Sequence, residues 1–197
     1  LVLDSVVPHK GFDPFGTDLM AATGGVLEAA CGQDPGCTTD PVADLAWLVE
    51  NGSVDGTELM ESLSISSLNS VNPSLKGIPA TLHAPRNGDD ASLKQFFQTV
   101  TSRRIRYDEL SAGLHIATLC SDLRIPWTGG NTGALETAVR RLVPKRVYPY
   151  DLGTAPRQLI VDGCLRWPEA RMSTYPEADQ LLPRTLILHG TNDLFCP

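Results

Sequence analysis

Pro183-Arg184-Thr185-Leu186-Ile187-Leu188-His189-Gly190-Thr191-Asn192-Asp193-Leu194-Phe195-Cys196-Pro197 closes the sequence, and its reading decides the fold. Thr185 to Leu188 is a short apolar run without polar alternation, the pattern of a strand covered on both faces of a parallel sheet. Gly190 interrupts the run, and Asp193 then falls beyond the strand's C-terminal edge, where open α/β sheets build their sites. An acid there can orient a histidine and stabilise its charged form. Leu1-Val2-Leu3 is a second apolar run of the same kind at the other end of the chain. Parallel strands need a long crossover, and nearly everything between these two runs reads as helix and loop. The predicted fold is therefore mainly α. A helical cap over residues 9–182 is flanked by short parallel strands within residues 1–8 and 183–197. Two strands alone are marginal in water, so they are expected to belong to a larger sheet.

Working inward, Asp40 followed by Pro41 is a helix start, and Val42, Leu45, Ala46, Leu48 and Val49 form one apolar stripe before Asn51-Gly52 ends it. Ser92 opens a second helix, in which Leu93, Phe96, Phe97 and Val100 are spaced to bury one face. A third begins at Asn131 or Thr132, carries Leu135, Ala138, Val139 and Leu142, and is expected to run until Pro144 stops it. Weaker helical patterns cover Thr17 to Cys31, Gly56 to Leu63 and Tyr107 to Leu119. Gly24-Gly25 costs the first of these about 1 kcal/mol per glycine and is expected to kink or break it. Turn-rich stretches span Ser64 to Pro79, His83 to Asp90, Pro126 to Gly130 and Pro144 to Pro156.

The 197 residues carry 23 Asp and Glu against 16 Lys and Arg, a formal charge of −7 that argues against a nucleic-acid partner. Apolar runs reach only a few residues, whereas crossing a bilayer takes about 20, so no membrane partner is expected. The chain opens on Leu1 without an initiator Met, a basic stretch or a small-residue cleavage site, and stops in a turn. It is expected to be a segment of a longer protein whose raw sheet surface could pair copies of the segment as a dimer.

Five cysteines lack zinc-ligand spacing: Cys31 and Cys37 are separated by five residues with no histidine nearby. Disulfides explain them better than buried free thiols. A Cys31–Cys37 bridge closes a loop already bent by Pro35-Gly36, and a Cys120–Cys164 bridge closes a longer one. Cys196 is left over. Bridges of this kind place a protein in a secreted or periplasmic setting.

The closing segment resembles the strand and acid turn of α/β-hydrolases, which read as an apolar strand, Gly, two variable residues, Asp and a later Pro; here these are Gly190, Asp193 and Pro197. Leu1-Val2-Leu3-Asp4-Ser5-Val6-Val7 resembles the strand that follows the nucleophile helix in the same fold. Cys31 to Cys37, Ala117-Thr118-Leu119-Cys120-Ser121-Asp122 and Cys164-Leu165-Arg166-Trp167-Pro168 look like the cap of the secreted tripeptidyl aminopeptidase and proline iminopeptidase branch. The resemblance implies a Ser/Asp/His hydrolase that removes short peptides or amino acids from a free N-terminus, with the cap roofing its pocket and no cofactor or metal. Only Asp193 carries over as a catalytic residue. The chain contains no G-x-S-x-G elbow, and His9, His83, His115 and His189 read as ordinary surface or core histidines, so the segment alone is expected to be inactive.

Several residues keep two readings. Asp4 rivals Asp193 as the acid, and Asp122 either receives a substrate's ammonium group or is a helix-end surface charge. Trp127 and Trp167, each beside a proline, read as loop anchors or as pocket walls. Arg140-Arg141 and Lys145-Arg146 read as a solvated helix face. Asn51-Gly52-Ser53 has the form of a glycosylation sequon but is read as a chance match. The alternative functions are an esterase or an epoxide or haloalkane hydrolase with a related cap, and a secreted helical binding module with no catalytic parent.

Overall fold

The computed structural model describes residues 2–4, 13–68, 75–103, 111–122, 125–168 and 186–188. Among them the chain is mainly helical. The first helix, α1 (Thr17–Gly32), starts where Asp13 collects the otherwise unbonded amides of the first turn. Its carboxylate accepts from Thr17 N and, at 3.1 Å, from Asp18 N. Gly16, at φ 63°, makes the tight entry that an L side chain would strain. The helix runs through Gly24-Gly25 without the expected kink. Burial of Met20, Thr23, Val26 and Leu27 along one face outweighs the two glycines' propensity cost, and Gly24 lies against the Val42 side chain.

Helix α2 (Pro41–Glu50) forms as its sequence demands: Asp40 Oδ1 accepts from Ala43 N at 3.0 Å, and Pro41 occupies the first helical position. Leu45, Leu48 and Val49 are buried. Helix α3 (Gly56–Leu68) is capped by Asp55, whose Oδ1 accepts from Thr57 N at 2.8 Å. It is followed by α4 (Ile78–His83), a 3₁₀ turn at Ala84–Asn87, and α5 (Ala91–Arg103). Next come α6 (Ala112–Asp122), a 3₁₀ turn at Thr128–Gly130 and α7 (Thr132–Val139), the last capped by Asn131 through a 3.0 Å bond from Ala134 N. Pro144 does not end α7, which stops at Val139; it opens α8 (Pro144–Val147), where the missing amide hydrogen is no loss. A 3₁₀ turn at Ala155–Arg157 leads into α9 (Leu159–Arg166).

Met20, Leu27, Leu45, Leu48, Leu59, Leu63, Leu82 and Trp127 are among the core side chains, and full burial of each Leu or Met stabilises the fold by about 1.5–3 kcal/mol. Trp127 anchors its loop: the ring stacks on Phe15 at 5.2 Å, and Nε1 donates to Val161 O at 3.2 Å. Trp167 is half-buried, and its carbonyl accepts from Gly129 N at 2.7 Å, joining the end of α9 to the Trp127 loop. Strands β1 (Val2–Asp4) and β2 (Leu186–Leu188) pair in parallel, with Val2 opposite Leu186, Leu3 opposite Ile187 and Asp4 opposite Leu188. The chain thus leaves the sheet at Asp4 and rejoins it beside its own start at Leu186.

Candidate functional site

Asp193, His189, His9 and Cys196 lie outside the described residues. Asp4 ends β1 and faces Leu188 in the register. Asp122 is the last residue of α6, two positions after Cys120. The placement of Asp122 is therefore set by a covalent tie: Cys120 is bonded to Cys164 of α9, with Cα atoms 5.3 Å apart. Gly163 packs closely at the same junction, where a Cβ would stand 3.2 Å from Ile116 Cδ1. Helices α6 and α9 so approach closely at a buried bridge, which holds the end of α6 in one place. The second bridge, Cys31–Cys37, ties the last turn of α1 to the loop that follows it, with Cα atoms 5.2 Å apart. Both spacings suit a disulfide, and two such bonds fit an extracellular setting.

One cluster of chemically active groups was not foreseen from sequence. Asp44, on the buried face of α2, has only 4% of its side chain exposed. Its Oδ1 receives Arg86 Nε at 2.6 Å and its Oδ2 lies 2.9 Å from His83 Nδ1. Arg86 also donates to Ala43 O at 2.8 Å and lies over the Trp47 ring at 5.3 Å. A carboxylate oxygen accepts, so His83 Nδ1 is the donor of this bond. This is the geometry of an acid orienting a histidine, but among the described residues no hydroxyl or thiol is hydrogen-bonded to that histidine. The cluster instead joins α4 and the following 3₁₀ turn to α2, with one buried charge satisfied from both sides. Asp44 sits inside an apolar stripe, and its partners lie 39 and 42 residues later, so no local pattern marks them.

Tyr150 is the other buried polar group of note. Burial pushes its hydroxyl well above the ordinary value, offset in part by the neighbouring Thr23 side chain. Thr23 Oγ1 donates to Leu19 O at 2.8 Å, and among the described residues no atom meets hydrogen-bond geometry with the Tyr150 hydroxyl.

Among the described residues no three His, Cys, Asp or Glu side chains converge as a metal site requires. Nor is any described helix long and apolar enough to cross a membrane. No family model, curated protein or solved structure matches the chain.

Proposed function

We propose that the chain is the helical lid of a serine hydrolase with the α/β-hydrolase fold, similar to secreted tripeptidyl aminopeptidases and proline iminopeptidases. The observation that carries this reading is the parallel pairing of β1 with β2. A two-stranded parallel sheet of three residues per strand buries too little to stand alone, and a long helical excursion that returns beside its origin is how an insertion leaves and re-enters a larger sheet. The two disulfides support a secreted setting. In the complete enzyme a serine attacks the scissile carbonyl, a histidine acts as general base and then acid, and Asp193 holds the imidazolium. Asp122 receives the ammonium group of the peptide, a role for a carboxylate in a partly desolvated pocket. The lid excludes water and selects short substrates.

The test is a substrate panel on the complete protein together with labelling by a fluorophosphonate. The expected result is labelling of one serine and turnover of substrates with a free N-terminus, with kcat lowered about 10⁴-fold by Asp193→Asn. Asp122→Asn should raise KM for free-amine substrates and leave N-blocked ones unchanged. Preference for uncharged esters, epoxides or haloalkanes would assign a different hydrolase. A secretion signal joined directly to Leu1, with no serine elbow between, would replace the enzyme by a binding module. Robust turnover by the isolated segment, abolished by Asp193→Asn, would also overturn the proposal.

A further inference from the structure

We propose that Asn51 is an acceptor for N-linked glycosylation. Asn51-Gly52-Ser53 matches the acceptor pattern, whereas Asn72-Pro73-Ser74 is barred from it by its central proline. In the structure all three acceptor residues are exposed, directly beyond the end of α2. Gly52 adopts φ 65°, and the closing bonds of the helix, Gly52 N to Val49 O and Ser53 N to Leu48 O, are both 3.1 Å. These bonds engage the backbone amides of the turn, and Asn51 and Ser53 are exposed, as a bulky surface group requires.

Among the described residues, the hydrogen bond made by the Asn51 side chain is compatible with modification. Nδ2 donates to Trp47 O at 2.8 Å, and an amide nitrogen carries two hydrogens, so one can be replaced while the other keeps this bond. The two disulfides supply the second condition, since the compartment where they form is also where oligosaccharides are transferred in eukaryotic cells. The donor is a lipid pyrophosphate-linked oligosaccharide. The bond from sugar C1 to the phosphate oxygen breaks, and a bond from C1 to Nδ2 forms. The lipid pyrophosphate leaves with the electron pair, and the displaced Nδ2 proton passes to a base of the transferase.

The experiment is secretion of the complete disulfide-bonded protein from a eukaryotic host, with intact mass measured before and after peptide N-glycosidase treatment. Sugar mass is read rather than Asp at position 51, because Asn-Gly pairs also deamidate spontaneously. Asn51→Gln and Ser53→Ala should each remove one glycan, and Ser53→Thr, which keeps the pattern, should retain it. Ser53→Ala leaves Asn51 and its bond to Trp47 in place, so its loss of sugar does not reflect misfolding. Equal sugar mass in the parent and Asn51→Gln proteins overturns the proposal, whatever the protein's hydrolytic activity.

Discussion

Gly56→Ala tests whether the start of α3 and the turn before α9 are as closely joined as their geometry requires. In an ordinary helix this substitution gains up to about 1 kcal/mol. Here the added Cβ would lie 2.2 Å from Thr154 Oγ1 and 3.3 Å from its Cβ and Cγ2. Thr154 cannot yield easily: it is fully buried, and both its N and Oγ1 donate to Asp151 Oδ1 at 2.7 Å. Its carbonyl in turn accepts from Gln158 Nε2 at 3.2 Å and from Thr57 Oγ1 at 3.4 Å. Relieving the clash therefore costs about 1–3 kcal/mol of repacking plus about 1 kcal/mol for the broken hydroxyl bond. After the propensity gain, a net destabilisation of about 2 kcal/mol is expected, a fall in Tm of about 4–8 °C for a chain of this size. Thermal and urea unfolding of the disulfide-intact protein, followed by far-ultraviolet circular dichroism, measures it. Thr154→Ala removes the obstructing atoms, so the cost of Gly56→Ala should shrink by about 1–2 kcal/mol in that background. A Gly56→Ala protein as stable as its parent, or an unchanged cost in the Thr154→Ala background, refutes the reasoning.

The two disulfides should differ in worth. Replacing Cys120 and Cys164 by alanine releases a separation of 44 residues and is expected to cost about 4 kcal/mol, against about 2 kcal/mol for Cys31 and Cys37 at a separation of 6, as urea midpoints of the paired variants would show. Tyr150→Phe removes a buried hydroxyl without a hydrogen-bond partner and should be neutral or stabilising by about 1 kcal/mol in the same assay. Because burial raises the Tyr150 pKa in the folded state, the unfolded chain gives up this proton first. Stability from this group is then complete below about pH 10 and declines above it by about 1.4 kcal/mol per pH unit. Unfolding free energies measured at alkaline pH should show that share of the slope missing in Tyr150→Phe.

Helix starts with a local chemical cause were legible. Asp40-Pro41 and Asn131 cap α2 and α7 from within their own turns, and the stripe Leu45, Leu48 and Val49 is buried as its spacing requires. The cysteine pairing was also readable, because the Cys31–Cys37 loop is short and turns at Pro35-Gly36. Helices α4 and α9 were not: six and eight residues hold too little periodicity to stand out from the turn-rich sequence beside them. The kink expected at Gly24-Gly25 failed for the opposite reason, since the local cost of glycine is real but small beside the burial that α1 achieves against its neighbours.

Composition, caps and cysteine spacing act over a few residues, and they determined by themselves that this chain is a disulfide-tied helical protein whose acidic balance disfavours nucleic acid. Tertiary structure alone decided which distant groups meet. Asp44 finds Arg86 and His83, and Gly56 makes room for Thr154. The physical reason is that such pairings are chosen by which buried charges and close approaches can be satisfied together, and that choice exists only once the core around Met20, Leu48 and Trp127 has assembled.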